Sequence, residues 1–221
     1  MNRDFEFKQL LRAYRAGIIN EKTCEAEMAE IEHGANANGG NGTAGGFRYL
    51  GKTYKSERDA VVSFLDKSRA GEANGAEIFR NWAKVCTTDC IRSGLKMIAE
   101  REDYHARIFE NRLRELGAEC RAEVSAEGLK IKECASDPKM SDNAKLLDFN
   151  KILTNPDELI RPIFEFAELI KEDLETKEAL RLFAEDELSS TKWLKYACAA
   201  LNAPAAVAST TTNMVAMSEE M

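Results

Sequence analysis

The chain has 221 residues, 44% hydrophobic and 31% charged, with a formal net charge of -7. That is enough for one ordinary domain with appendages, and the acidic balance excludes a nucleic-acid surface as its main business. No apolar run approaches ~18 residues, which excludes a transmembrane helix. "MNRDFEFKQLL" also lacks the apolar stretch of an export signal, so the six cysteines are expected as reduced thiols in a cytoplasm.

Four prolines and abundant Ala, Glu, Leu and Lys favour helices. Residues 1–33 read as an N-terminal helical arm of two short helices, with Gly17 and Asn20 as cap residues between them. Phe5, Leu10, Leu11, Tyr14 and Ile18 give that arm an apolar face, for folding back on the chain, for a homodimer or for a docking partner. Residues 34–46, "GANANGGNGTAGG", are a flexible linker by composition. "FRYLGKTYK" reads as a short extended segment.

Four long helical patterns follow. The first starts after the N-cap Ser56 and runs to about Cys86; the second runs from about Asp89 to a stop at Gly117. A long connection, 118–140, leads to a third over Ser141–Lys171, interrupted by Pro156 and Pro162, where a kink or break is expected. The fourth covers about Thr176–Asn202, and residues 203–221 read as a disordered tail. Two short loops and one long crossover over 47–202 describe an all-α, antiparallel four-helix bundle of ferritin type. A weak repeat at an offset of 85 residues fits two similar hairpins: Ser56 with Ser141, Phe64 with Phe149, and Glu102 with Glu187.

Bundle helices bury residues spaced alternately three and four apart. On the second helix that seam holds Ile98, Glu102, His105 and Phe109, with Arg101 and Asp103 facing outward. On the first it holds Leu65, Glu72, Gly75 and Phe79; on the third, Leu153, Asp157, Ile160 and Phe164; on the fourth, Phe183, Glu187, Ser190 and Leu194. Each helix thus turns one carboxylate inward. Four ionised carboxylates in a dry core cost several kcal/mol each unless they protonate, meet basic side chains or bind cations. Two divalent ions would balance them, and carboxylates with imidazole suit iron or manganese, zinc less exclusively. Glu102 and His105, three apart, share one face and could grip one ion. The competing reading of "EREDYHAR" is a surface salt-bridge cluster.

"AGEANGAEIFRNWAK" and "AEREDYHARIFENRL" resemble the two metal-binding helices of the ferritin-like superfamily, most nearly its rubrerythrin-like branch. The resemblance covers roughly 56–202. It implies a di-iron or di-manganese site reacting with oxygen or peroxide, held by Glu72, Glu102, His105, Glu187 and either Asp157 or Glu158. Two departures stand out. Ser190 occupies the place of the family's second His, and the chain has no Cys-x-x-Cys pair for a rubredoxin-type iron. Three outcomes follow: an asymmetric two-metal site with an open position, a single-metal site, or a metal-free scaffold that serves as an interaction module. His33 is read as a solvated bystander, Cys86 and Cys90 as separately packed thiols, Trp82 and Trp193 as core or interface residues, and Tyr104 as facing away from the seam.

Overall fold

The computed structural model describes Glu21, Lys22, Glu25, Met28 and residues 46–203. Those first four residues are helical. The rest of the expected arm, His33, Cys24, the linker before Gly46 and the tail beyond Ala203 lie outside the described residues.

The extended segment is a two-stranded antiparallel hairpin, β1 (Phe47–Tyr49) and β2 (Lys52–Tyr54). Leu50 and Gly51 both take positive φ at its turn, the geometry that matches strand twist in a two-residue hairpin loop. The hairpin lays Phe47 and Tyr49 against Phe166, and the half-buried Tyr49 hydroxyl donates to the Pro162 carbonyl at 2.7 Å.

The rest is helical: α1 (Glu57–Val85), α2 (Asp89–Glu115), α3 (Ala126–Ser136), α4 (Asp142–Ile152), α5 (Pro156–Leu169) and α6 (Leu174–Asn202). The expected cap at Ser56 is present, and Ser141, the expected start of the third pattern, caps α4 in the same way. Ser56 and Ser141 each accept a hydrogen bond from the backbone N–H three residues on. Gly117, at φ 63°, closes α2 in a Schellman turn, with Gly117 N–H on the Arg114 carbonyl and Ala118 N–H on the Leu113 carbonyl.

Two expectations are corrected in detail. The third long pattern is two helices, broken at residues 153–155. Pro156 starts α5 as its first residue, where its missing N–H costs nothing. The 118–140 connection contains α3, capped by Ser125.

Specific contacts fix how the helices lie. α1 and α2 are antiparallel neighbours along their length, joined through residues 86–88. α6 runs antiparallel to α2, with Arg101 reaching Ser190 near the middle and Arg112 reaching Thr176 and Asp173 at one end. α4 and α5 continue one after the other along α1: Trp82 stacks on Phe149 and Phe64 on Phe166. The 118–140 connection runs along α1 through Arg69 on the Ala122 carbonyl, Asn74 on the Gly128 carbonyl and Lys132 on Glu77.

Two apolar clusters result. One holds Phe79, Trp82, Leu95, Ile98, Leu146 and Leu194. The other holds Leu65, Phe109, Leu113, Phe166, Leu180 and Phe183. Along α1, α2 and α6 the sequence passes from one cluster to the other through a short polar layer, which holds the candidate site. Among the described residues no helix is long and apolar enough to cross a membrane.

Candidate metal centre

Glu72 on α1, His105 on α2 and Glu187 on α6 converge, each offering one ligand atom within 4.8 Å of the others. His105 is 4% exposed and fixed from both ends. Its Nδ1 lies 3.2 Å from Glu72 Oε2 and 3.7 Å from Glu187 Oε1; its Nε2 lies 3.1 Å from Asp186 Oδ2. One ring nitrogen therefore faces the carboxylates while the other is held by a carboxylate at the rim. That second contact is the arrangement that orients a ligating imidazole. The Phe183 ring packs edge-on against the imidazole at 4.9 Å and blocks rotation.

Glu102 lies one turn from His105, buried, and hydrogen-bonded to Glu72. It fits there because residue 75 is glycine: a Cβ at Gly75 would overlap Glu102 Oε2 and sit 3.1 Å from its Cδ. Glu187 Oε1 is enclosed and has no hydrogen-bond partner among the described residues. A buried carboxylate oxygen left unpaired is costly and calls for a cation, a proton partner or a water.

The acids respond to this crowding. Burial pushes Glu72 well above the ordinary carboxylate range, and the charge of Glu187 adds to it. Burial does the same to Glu102, reinforced by the charges of Glu72 and Glu187 and partly offset by Arg101. Burial raises Glu187 to about 7 against the pull of His105 and Arg101.

Arg101 departs from the sequence reading. Its backbone sits on the flank of α2 as expected, but its side chain reaches across to α6. Its Nη1 donates to Ser190 Oγ at 2.9 Å and to the Asp186 carbonyl at 3.1 Å. A long arginine stem can cover apolar surface while its head finds polar partners, so a helical-wheel position underestimates its reach. Ser190 is buried and faces inward, but its hydroxyl serves a guanidinium.

Asp157 and Glu158, the two third-helix candidates, are not brought into the cluster. Asp157 is at the surface, ion-paired with Lys192 at 2.8 Å, and Glu158 pairs with Arg161. The break before Pro156 resets the helical phase and makes both residues part of the first turn of α5, where carboxylates are favoured by the helix dipole. Tyr104 is exposed, Trp82 is fully buried, and Trp193 packs against the first apolar cluster, as read from the sequence. Cys86 is buried and Cys90 exposed, both free thiols.

Sequence reasoning missed Asp186 and Arg101. Asp186 adjoins Glu187, so its proximity was available. Its role needs the α2–α6 contact, which no spacing within one helix encodes. Compared with protein-family models, with curated proteins and with solved structures, the chain matches none.

Proposed function

We propose that this chain is a ferritin-like four-helix bundle that binds one divalent transition-metal ion, iron or manganese, and uses it in redox chemistry with oxygen or peroxide. The observation that carries the reading is the enclosed Glu187 Oε1, which has no hydrogen-bond partner among the described residues and converges with Glu72 and His105 Nδ1 in a buried layer. The donor set, carboxylates with one imidazole, suits iron or manganese. Glu72, His105 and Glu187 would hold the ion, and when bound it would supply Lewis acidity and one-electron redox chemistry.

The remaining roles belong to the chain. Asp186 fixes the His105 ring from its far nitrogen. Glu102, pushed toward its protonated form by burial and hydrogen-bonded to Glu72, would hold a proton beside the ligand set. Arg101 supplies a fixed positive charge where the resemblance would place a second ion. The apolar clusters above and below keep bulk water from the layer.

The test is anaerobic titration of purified protein with ferrous or manganous ion, followed by peroxide consumption. One equivalent should bind, and His105→Ala should abolish both binding and turnover. Binding of a small fraction of an equivalent, unchanged in His105→Ala, would overturn the reading.

A second reading is a metal-free scaffold, and a specific observation favours it. Arg101 and protonated carboxyls can balance the layer without ions. It predicts no metal uptake and no gain in thermal stability from either ion.

A further inference from the structure

Lys145, on α4, is 2% exposed, and its Nζ has no hydrogen-bond acceptor among the described residues. A buried ammonium usually faces a carboxylate. The nearest acid in sequence on this face, Asp142, is already saturated. It accepts from Trp82 Nε1 at 2.8 Å, from the Thr87 and Thr88 backbone N–H groups at 2.9 Å each, and from both threonine hydroxyls. The Lys145 charge feels Asp142 and Asp137 at longer range and lies 5.9 Å from the Trp82 ring centroid, contacts that use the charge but none of the N–H donors.

Lys145 is also one of the residues that line a cavity of about 400 Å³ between α3 and α4. The rest of the wall is largely apolar, from Ile131, Ala135, Met140, Phe149 and Ile152. Three lysines, 130, 145 and 151, line it against two acids, Glu127 and Asp148, and Lys151 is paired with Asp148 at 2.6 Å. The volume lies in the range of small-ligand pockets, and an apolar wall with one unspent polar group is their usual design. The cavity is separate from the Glu72–His105–Glu187 layer and shares no residue with it.

We propose that the α3–α4 cavity binds a small amphipathic carboxylate, its acid group on Lys145 and its apolar body against Ile131, Met140, Phe149 and Ile152. The carboxylate would supply the acceptor that Lys145 lacks, a charge-assisted contact inside a low-dielectric wall. The apolar body would cover surface that the fold leaves facing the cavity. The net positive lining selects an acid over a neutral head group, in a chain whose overall charge is -7.

The probe is octanoate, with octan-1-ol as its neutral counterpart, titrated into the full chain by calorimetry. Trp82, stacked on the cavity residue Phe149, provides an independent fluorescence signal in a Trp193→Phe background. Octanoate should bind saturably at one equivalent, at least tenfold tighter than octanol. Lys145→Met keeps the apolar stem and removes the ammonium, and should erase the preference for octanoate. Ile152→Glu changes an exposed position on the apolar wall, leaves the fold intact by circular dichroism, and should weaken both ligands. The proposal is overturned by absence of saturable octanoate binding, by equal affinity for octanol, or by undiminished octanoate affinity in either variant. Should Lys145→Met not fold, Ile152→Glu and the octanol comparison still decide.

Discussion

Gly75 faces Glu102 where α1 and α2 approach, and the absence of a side chain there is what lets a third carboxyl into the layer. Gly75→Ala should therefore displace Glu102 without touching Glu72, His105 or Glu187. Alanine is the better helix former by about 1 kcal/mol, so the thermal midpoint should hold or rise. Affinity for ferrous ion should fall roughly tenfold, as for loss of a supporting group around a metal site; unchanged affinity by calorimetry would remove Glu102 from the proposed site. Arg101 and Ser190 give a second test. A histidine at position 190 would bring the layer closer to a two-ion ligand set, but the space beside Asp186 holds the Arg101 guanidinium. Ser190→His alone should cost roughly 1–3 kcal/mol through displaced, unsatisfied polar groups, and neither ferrous nor manganous ion should restore it. Combined with Arg101→Ala, the same change should bind a second equivalent. A second equivalent in Ser190→His alone would show that Arg101 does not limit the site to one ion.

At the scale of elements, a single carboxylate ties three of them together. Asp142 opens α4, and its five hydrogen bonds reach Trp82 on α1 and the 86–88 connection into α2. Burial opposes its charge, but these donors prevail and hold it at about 2. Asp142→Ala strands a buried indole N–H and two backbone N–H groups. It should lower unfolding free energy by roughly 2–4 kcal/mol in urea titration, and a loss below ~1 kcal/mol would mean that water replaces the carboxylate. The same elements show what the sequence could reveal. Glu72, Glu102, His105 and Glu187 were legible because each lies within an uninterrupted helix, where three-and-four spacing fixes the face. Asp157 was placed by carrying one such spacing across residues 153–155, and it fails because two helices in series share no common phase. The cap at Ser56 was legible too, since a cap side chain serves the backbone N–H three residues on, within a local stretch of sequence. α3 was not, because an 11-residue helix with one buried residue, Ala135, carries almost no periodic signal. Arg101 and Asp186 were beyond any one-helix pattern, since their partners lie 85 and 81 residues away.

For the whole molecule, the polar layer between two apolar clusters makes stability depend on pH in an unusual direction. Glu72, Glu102 and Glu187 have raised values in the folded protein, Glu187 reaching about 7 from 4.5. Between those two values the folded state binds more protons than the unfolded state, so unfolding free energy falls as pH rises. Glu187 alone accounts for a change on the order of 3 kcal/mol. Asp142, Asp66, Glu57 and Asp173 act oppositely, because their folded values are lowered. Their contribution is complete above their unfolded values and is lost as pH falls through the folded ones. Metal-free protein should therefore be most stable near about pH 4–5 and weaker at about pH 7.5, and Glu187→Gln should flatten the decline between them. Metal bound as proposed should reverse the slope. Its ligands must be deprotonated, so binding strengthens as pH rises and releases protons. At a free ion concentration 100 times Kd it adds about 2.7 kcal/mol. Thermal unfolding across this pH range, with chelator and with manganous ion, should give two curves that diverge upward in pH. Curves that stay superimposed would leave the scaffold reading in possession of the layer. A metal-free curve that rises through neutral pH would instead mean that the three acids are ionised in the fold and balanced by Arg101 and His105.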